Sequence, residues 1–201
     1  MSEEKSNPGL VKIKKPMPTP LPRVVRYDPK VWNTYSTLLE EPEPWTIGLF
    51  DMMSITVAGG PYDYVGSADF GVKLDSSSRE PCEVYCPIQD WSVPLNKERF
   101  KLALMESFKA ALRGEKVYVG CMGGRGRTGL FLASMGKVAG YSHPIKTLRE
   151  QWKKTAVETI QQEKWVEALD VRRETRQLRW LTLAARMHLT WFLRPTTQRK
   201  S

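Results

Sequence analysis

The spacing of apolar positions changes several times between the two-residue period of strands and the 3.6-residue period of helices. Short β-rich runs that end at Gly or Pro predict three strands, at residues 54–58, 82–86 and 117–119. Apolar residues three and four apart predict four helices, over residues 96–113, 130–138, 144–154 and 160–170. Strands that alternate with helices predict an α/β domain with a central sheet flanked by helices.

An additional C-terminal helix is predicted over residues 178–193. It has one narrow polar stripe at helical spacing, which consists of Arg179, Thr182, Arg186 and Thr190. Apolar side chains cover most of the remaining circumference, so this helix must lie against another surface. Packing on its own domain is the expectation, because exposed Trp and Leu would promote aggregation. Self-association and an anionic membrane surface are the alternatives.

The net charge of +9 is concentrated at the two ends of the chain. Residues 1–30 form a Pro-rich arm with seven Lys or Arg against three Asp or Glu, and residues 170–201 carry eight against two. We therefore divide the chain into a basic arm at 1–30, a catalytic domain at 31–170 and a basic, broadly apolar tail at 171–201. Solvated termini are the preferred interpretation of this charge, and a nucleic-acid partner is not expected.

Composition excludes several classes of protein. The 201 residues suit one domain, no window reaches 18 consecutive apolar residues, and the first ten residues lack the apolar core of a secretory signal. Three Cys form no disulfide framework, which favours a reducing, cytoplasmic compartment. Two scattered His give neither a zinc-ligand spacing nor an easy Ser-His-Asp triad, and no metal or other cofactor is expected.

The most informative segment is the run Val-Tyr-Val-Gly-Cys-Met-Gly-Gly-Arg-Gly-Arg-Thr-Gly at 117–129. It places Cys121 between a strand and a helix N-terminus, at the start of a Gly-rich loop. Such loops bind phosphate through backbone N–H groups and the helix dipole, and the same field stabilises a thiolate. Arg127 can bind two phosphate oxygens with its planar guanidinium. A nucleophile in a phosphate-binding loop indicates phosphoryl transfer through a phosphocysteine.

This run resembles the signature loop of the cysteine-dependent tyrosine and dual-specificity phosphatases, His-Cys-x-x-Gly-x-x-Arg-Ser/Thr-Gly. Five positions match, namely Cys121, Gly124, Arg127, Thr128 and Gly129. The resemblance implies a tyrosine-phosphatase-like fold in which six residues bind phosphate, namely Met122, Gly123, Gly124, Arg125, Gly126 and Arg127. It also implies that the Thr128 hydroxyl donates to the sulfur as the thiolate leaves. Gly120 departs from the family, which usually has a His that orients the loop.

A phosphatase also needs an acid that protonates the leaving oxygen. Asp90 follows the strand at 82–86, within a segment bounded by Pro87 and Pro94, and precedes Cys121 by one helix and one strand. In the family that the motif resembles, the general acid has this placement on a mobile loop. Asp90 is therefore the predicted acid, and a turn or helix-capping Asp is the alternative.

The family's glutamine loop, Gln-Thr-x-x-Gln, resembles residues 158–162. Thr159 and Gln162 match, whereas Glu158 replaces the first Gln. The resemblance implies that Gln162 positions the water of the second chemical step, although a polar residue that opens a helix fits equally well.

Together these residues predict a hydrolase that cleaves phosphate monoesters, namely phosphotyrosine and also phosphoserine or phosphothreonine in proteins. Two alternatives remain open from the sequence. Arg125 and the basic ends suit a non-protein phosphate, such as a phosphoinositide or an RNA 5′ end. Gly120 in place of His suits a weakly catalytic module that binds phosphate for recognition.

Overall fold

The computed structural model describes residues 42–187, which form five strands and five helices. The strands are β1 (Glu43–Leu49), β2 (Met53–Pro61), β3 (Phe70–Lys73), β4 (Val84–Tyr85) and β5 (Val117–Cys121). The helices are α1 (Lys97–Leu112), α2 (Gly126–Val138), α3 (Pro144–Gln151), α4 (Ile160–Ala168) and α5 (Arg172–Arg186).

All five strands join one sheet in the order β1-β2-β5-β3-β4. β1 pairs antiparallel with β2 through a tight turn, and the remaining pairs are parallel. The register places Pro61 opposite Cys121, so the carboxyl ends of β2 and β5 reach the same edge. Ligands of such α/β sheets bind beyond the carboxyl ends of the strands, and this edge therefore positions the candidate site.

The helices cover one face of β1 and β2. In β1 and β2 the alternate residues Trp45, Ile47 and Val57 are fully buried in the core with α1 and α2, whereas Thr46 and Thr56 face outward. The central strand β5 is buried along its whole length, because the turn after β2 covers its second face. The predicted α/β fold with a central sheet is confirmed, although helices lie against only one face of β1 and β2.

Two strands were not predicted from the sequence. β1 contains an alternation of buried and exposed positions over residues 43–49, and that signal was overlooked. β3 has four residues among turn residues and is too short to show a period. The interpretation of Gly59-Gly60-Pro61 as a strand stop was wrong, since β2 continues through these residues and pairs with β5.

The predicted helices are present with small differences at their ends, except that the C-terminal helix begins at Arg172, six residues before its predicted start at 178. α2 begins at Gly126, inside the predicted phosphate-binding loop, and α3 ends at Gln151 rather than 154. Asn96 caps α1 by accepting the N–H of Arg99 at 2.9 Å, as its side chain favours. Within residues 42–187 no helix is long and apolar enough to cross a membrane.

The orientation of the C-terminal helix differs from the prediction. α5 packs on α1 and α2 through Leu178 and Leu181, which supports the expected packing on the chain's own domain. Thr182, assigned to the polar stripe, is fully buried, and its hydroxyl donates to the Leu178 carbonyl at 2.8 Å. This bond offsets the cost of burying the hydroxyl, so the helix can bury Thr182. The side of α5 that carries Trp180 then faces the exterior. Thr190 and the arm at 1–30 lie outside the described residues.

Leu178→Ala tests the packing of α5. Leu178 is fully buried, so its truncation leaves a cavity and should lower the free energy of unfolding by about 2–5 kcal/mol. Trp180→Ala is the matched control, because a side chain that is 74% exposed should change this free energy by less than about 0.5 kcal/mol. Urea unfolding followed by circular dichroism measures both. Equal losses in the two variants would contradict the packing described here.

Candidate functional site

Strand β5 places Cys121, the cysteine of the predicted phosphate-binding loop, at the edge of the sheet. Cys121 is the last residue of β5, is 2% exposed, and precedes a four-residue loop that leads into α2. The backbone turns at Gly124, where φ is +68°, a value that favours glycine. The N–H groups of residues 122–125 donate to no acceptor among residues 42–187. Free N–H groups beside a helix N-terminus are suited to an anion.

A cavity of about 140 Å³ opens above this thiol. It is lined by Asp90, Trp91, Cys121, Met122, Gly123, Arg125, Gly126, Arg127 and Glu158. The predicted phosphate loop, the predicted acid and a glutamate from the segment before α4 therefore share one small space. Its lining carries two arginines and two carboxylates.

Thr128 contacts the sulfur directly. Its hydroxyl lies 3.2 Å from the Cys121 Sγ and donates to it, and the Thr128 residue is fully buried. Thr128 lies in the first turn of α2, so the backbone of the loop sets the position of this hydroxyl. A hydroxyl held here stabilises negative charge on the sulfur.

Arg127 joins the phosphate loop to the segment that carries the predicted acid. Its Nη1 donates to the Ile88 carbonyl at 3.3 Å, and its Nη2 lies 3.0 Å from the Asp90 Oδ1. The guanidinium is almost fully buried, whereas the Asp90 side chain is 51% exposed. Residues 88–90 therefore lie across the loop, with the half-exposed Asp90 carboxylate in the lining of the cavity.

Glu158 belongs to the cavity, which sequence reasoning did not predict. Its Oε1 lies 3.7 Å from the Arg125 Nε, and its Oε2 lies where a β-carbon at Gly126 would be. The Arg125 Nε is buried and has no hydrogen-bond acceptor among the described residues. Arg125 is thus partly neutralised by Glu158 and still has a donor available for an anion. In the sequence, the signal for this role of Glu158 was that it replaces the first Gln of the family's glutamine loop.

Gln162 lies beside the cavity and does not line it. Its Oε1 accepts the N–H of Glu158 at 3.1 Å, and with Thr159 it forms the capping box of α4. Its Nε2 donates to the Ser92 carbonyl at 3.1 Å. The amide therefore connects the segments that carry Glu158 and Asp90, which is a positioning role. Its predicted contact with a reacting water stays a prediction.

The segment before α4 is strained where it presents Glu158. Val157 has φ of +61°, which is costly for a β-branched residue. Arg149 maintains this conformation, since its guanidinium donates to the Ala156 and Val157 carbonyls at 2.9 and 2.8 Å. Arg149 also pairs with Glu163 at 2.6 Å. Strain supported by several bonds is typical of functional sites.

The unusual Gly120 has a structural explanation. A β-carbon at this position would lie 2.8 Å from both the Gly60 carbonyl oxygen and the Tyr62 Cα. Backbone atoms cannot yield as a flexible side chain does, so the family's His does not fit here. The loop is instead oriented by its contact with the end of β2, where Gly124 also lies against the backbone of Gly60 and Pro61.

Two buried tyrosines support that contact. The Tyr118 hydroxyl donates to the Pro61 carbonyl at 2.7 Å, and the Tyr62 hydroxyl donates to the Pro81 carbonyl at 2.8 Å. Burial raises the pKa of both phenols, and for Tyr118 the nearby Cys121 adds to the rise in pKa. Both hydroxyls therefore remain donors at neutral pH. The sequence contained a signal for the position of Tyr118. Side chains alternate along a strand, so Tyr118 and Cys121 lie on opposite faces of β5.

Two other aspartates and the two other cysteines of the chain lie outside the cavity. Asp75 accepts from the N–H of Ser77 at 2.8 Å and shapes a turn, and Asp69 accepts from the Lys116 N–H at 2.9 Å. Burial raises the pKa of the Cys86 thiol to about 11 and also raises that of Cys82. Neither cysteine lines the cavity.

Comparison with known proteins gives partial matches. No protein-family model matches the chain. It is 35% identical over 83 residues to the uncharacterized protein MJECL20 and 37% identical over 84 residues to the uncharacterized protein MJ0215, both of Methanocaldococcus jannaschii. Each match covers 41% of this chain and spans about half the length of the relative, 56% and 52% respectively.

Solved structures are similar over about half of the chain. The crystal structure of Tk-PTP in its active form, a protein tyrosine phosphatase, is 27% identical, with a TM-score of 0.46 over 52% of this chain and 80% of that chain. A mutant form of Tk-PTP is 26% identical, with a TM-score of 0.46 over 53% and 79%.

Gly120→Ala tests the close contact at the base of the loop. The added methyl meets backbone, so we expect a loss of about 1–3 kcal/mol in the free energy of unfolding. Gly123→Ala is the control in the same loop, since its β-carbon meets nothing within 4 Å and should cost less than about 0.5 kcal/mol. Thermal unfolding measures both. A Gly120→Ala variant as stable as wild type would show that this contact does not limit the loop.

Proposed function

We propose that this chain is a cysteine-dependent phosphatase that hydrolyses phosphate monoesters, phosphotyrosine above all, through a phosphocysteine intermediate. One observation carries the proposal. A thiol at the base of a phosphate-binding loop lies 3.2 Å from the Thr128 hydroxyl, below an arginine that contacts a carboxylate at 3.0 Å. Binding alone needs neither the thiol nor the acid, whereas phosphoryl transfer needs both.

In the first step the Cys121 thiolate attacks phosphorus, the S–P bond forms and the bond to the leaving oxygen breaks. Arg127 and the N–H groups of the loop hold the three remaining oxygens, where charge collects in the transition state. Asp90, in its protonated form, gives its proton to the leaving oxygen. Its position at the mouth of the cavity suits that transfer, because the leaving group departs away from the sulfur.

In the second step water attacks the phosphocysteine and the S–P bond breaks. Asp90, now a carboxylate, accepts the proton of this water, and inorganic phosphate and the thiolate are released. The Thr128 hydroxyl donates to the departing sulfur. We assign the second contact of the water to Glu158, because its carboxylate lines the cavity, and we assign Gln162 to positioning Glu158 and the Asp90 segment.

The mouth of the cavity favours an aromatic phosphate ester. Trp91 and Met122 line it and are 62% and 55% exposed, so apolar surface adjoins the place of the leaving group. Arg125, which suggested a more anionic substrate, pairs with Glu158 at 3.7 Å. A carboxylate beside the phosphate loop disfavours substrates with several phosphates, such as phosphoinositides.

Turnover of p-nitrophenyl phosphate tests the activity. We expect the wild type to release nitrophenol without added metal, and we expect Cys121→Ser to reduce release to the background level, because the serine hydroxyl is a far weaker nucleophile. Cys86→Ser is the matched control, since this buried thiol lies outside the cavity, and its activity should remain. Phosphate release from phosphotyrosine and phosphoserine peptides distinguishes the protein substrates.

If the chain bound phosphopeptides but did not turn over p-nitrophenyl phosphate, it would be a phosphate-binding module and not an enzyme. Turnover that Cys121→Ser leaves unchanged would contradict the proposed nucleophile. Activity on phosphoinositides above that on phosphotyrosine peptides would contradict the proposed substrate class while leaving the chemistry intact.

Asp90→Asn tests the acid. Turnover of an alkyl phosphate, a poor leaving group, should fall about 10²–10⁴-fold, because no proton reaches its oxygen. The loss should be much smaller with p-nitrophenyl phosphate, whose leaving group needs little protonation. Steady-state kinetics on both substrates measure the contrast. Equal losses on the two would indicate that Asp90 serves only to hold Arg127.

A further inference from the structure

We infer that the exposed face of α5 binds the surface of an anionic phospholipid bilayer. This face is independent of the catalytic cavity and of the proposed activity. α5 presents its buried side to α1 and α2. Its other side is exposed, and Arg179 on that side lies over the Phe50 ring at 4.9 Å.

The exposed face of α5 is strongly basic. Its charged residues are five exposed arginines, namely Arg172, Arg173, Arg176, Arg179 and Arg186. The only acid of the helix, Glu174, is buried, and Arg172 pairs with Asp170 at 2.7 Å. The other four arginines form no ion pair with any residue in 42–187, although Asp51 lies in the same groove.

Apolar side chains are exposed on the same face. Trp180, Leu183 and Met187 are 74%, 38% and 56% exposed. At about 100° per residue they fall within about 60° of one another, on the C-terminal half of the helix. Arg179 and Arg186 lie along one flank of this stripe. A basic helix face with Trp and Leu on one stripe is the pattern of helices that lie in a membrane interface.

Charge argues against two occupants that the chain itself offers, a second copy and its N-terminal segment 1–30. A second copy that docked through the same face in a two-fold arrangement would place arginines against arginines. The N-terminal segment 1–30 has seven Lys or Arg against three Asp or Glu, so it too is repelled. The fitting partner is therefore anionic.

A bilayer satisfies both halves of the pattern, whereas a nucleic acid satisfies one. Lipid headgroups neutralise the arginines, and the acyl boundary accepts Leu183 and Met187, with Trp180 at headgroup level. A nucleic-acid backbone offers phosphates to the arginines but no apolar phase to the aliphatic side chains. The observations therefore favour anionic lipid.

The placement of α5 also orients the catalytic cavity. Trp180 and Leu183 share a groove with residues 50–52, the turn that precedes β2. Cys121 lies at the opposite edge of the sheet, roughly 26 Å away along the nine residues of β2. A molecule bound through this groove would thus hold its cavity toward the aqueous side, where protein substrates are accessible and headgroups are not.

Cosedimentation of the full chain with vesicles tests the inference. We expect binding to phosphatidylcholine vesicles that contain one-fifth phosphatidylserine and none to pure phosphatidylcholine. Binding should weaken strongly between about 0.05 and 0.5 M salt, because screening removes the headgroup attraction.

Two double variants separate the charged and apolar parts. Arg173→Gln with Arg176→Gln should weaken vesicle binding about 30-fold, and Trp180→Ser with Leu183→Ser should weaken it about tenfold or more. The matched controls are Lys146→Gln with Lys164→Gln, two exposed lysines elsewhere, and Leu102→Ser on α1. The controls should bind within about twofold of wild type, and circular dichroism verifies that every variant is folded.

No binding to the phosphatidylserine vesicles would overturn the inference, and so would equal losses in the lysine control. A dimer in light scattering that Trp180→Ser with Leu183→Ser converts to a monomer would assign the face to a second copy. Binding of duplex DNA that survives this variant, without vesicle binding, would assign it to a polynucleotide. None of these outcomes depends on whether the chain turns over p-nitrophenyl phosphate.

Discussion

The end of β2 and the loop after β5 approach each other so closely that neither Gly120 nor Gly124 has room for a side chain. Backbone packs on backbone there, and the Tyr118 hydroxyl holds the Pro61 carbonyl at 2.7 Å. The position of Cys121 follows from this contact, because it is the last residue of the strand that makes it. A loop seated on backbone has few alternative conformations, which suits a site that must hold its N–H groups in place before an anion binds.

Two further segments are attached to that loop through arginines and one amide. Arg127 binds the segment at 88–90, Arg125 meets Glu158, and Gln162 connects the two outer segments through Ser92. Two of these contacts join a side chain to a backbone carbonyl and two are ion pairs, so they fix position as well as charge. Asp90, the proposed acid, is consequently held by the same network that shapes the proposed phosphate loop. Val157, with φ of +61°, shows that this network also stabilises strain.

The C-terminal helix shows how a buried polar group is accommodated. Thr182 enters the core because its hydroxyl bonds to the Leu178 carbonyl of the preceding turn. That arrangement leaves Trp180 outside, beside a row of arginines, and produces the amphipathic face to which we assign an anionic bilayer. The helix therefore has two apolar sides with separate roles, one in the core and one at the surface.

The sequence by itself determined the α/β class, three of the five strands, the approximate extent of the helices, and a loop in which Cys121, Arg127 and Thr128 follow a fixed spacing. These are local properties, since they depend on periodicity and on residues adjacent along the chain. Only the tertiary structure decided three features. Gly60 and Tyr62 leave no room for a side chain at position 120, Glu158 faces the cavity while Gln162 lies behind it, and α5 buries the side that carries Leu178. Each of these depends on contacts between segments distant in sequence, where close packing selects one arrangement from several that the local pattern permits equally.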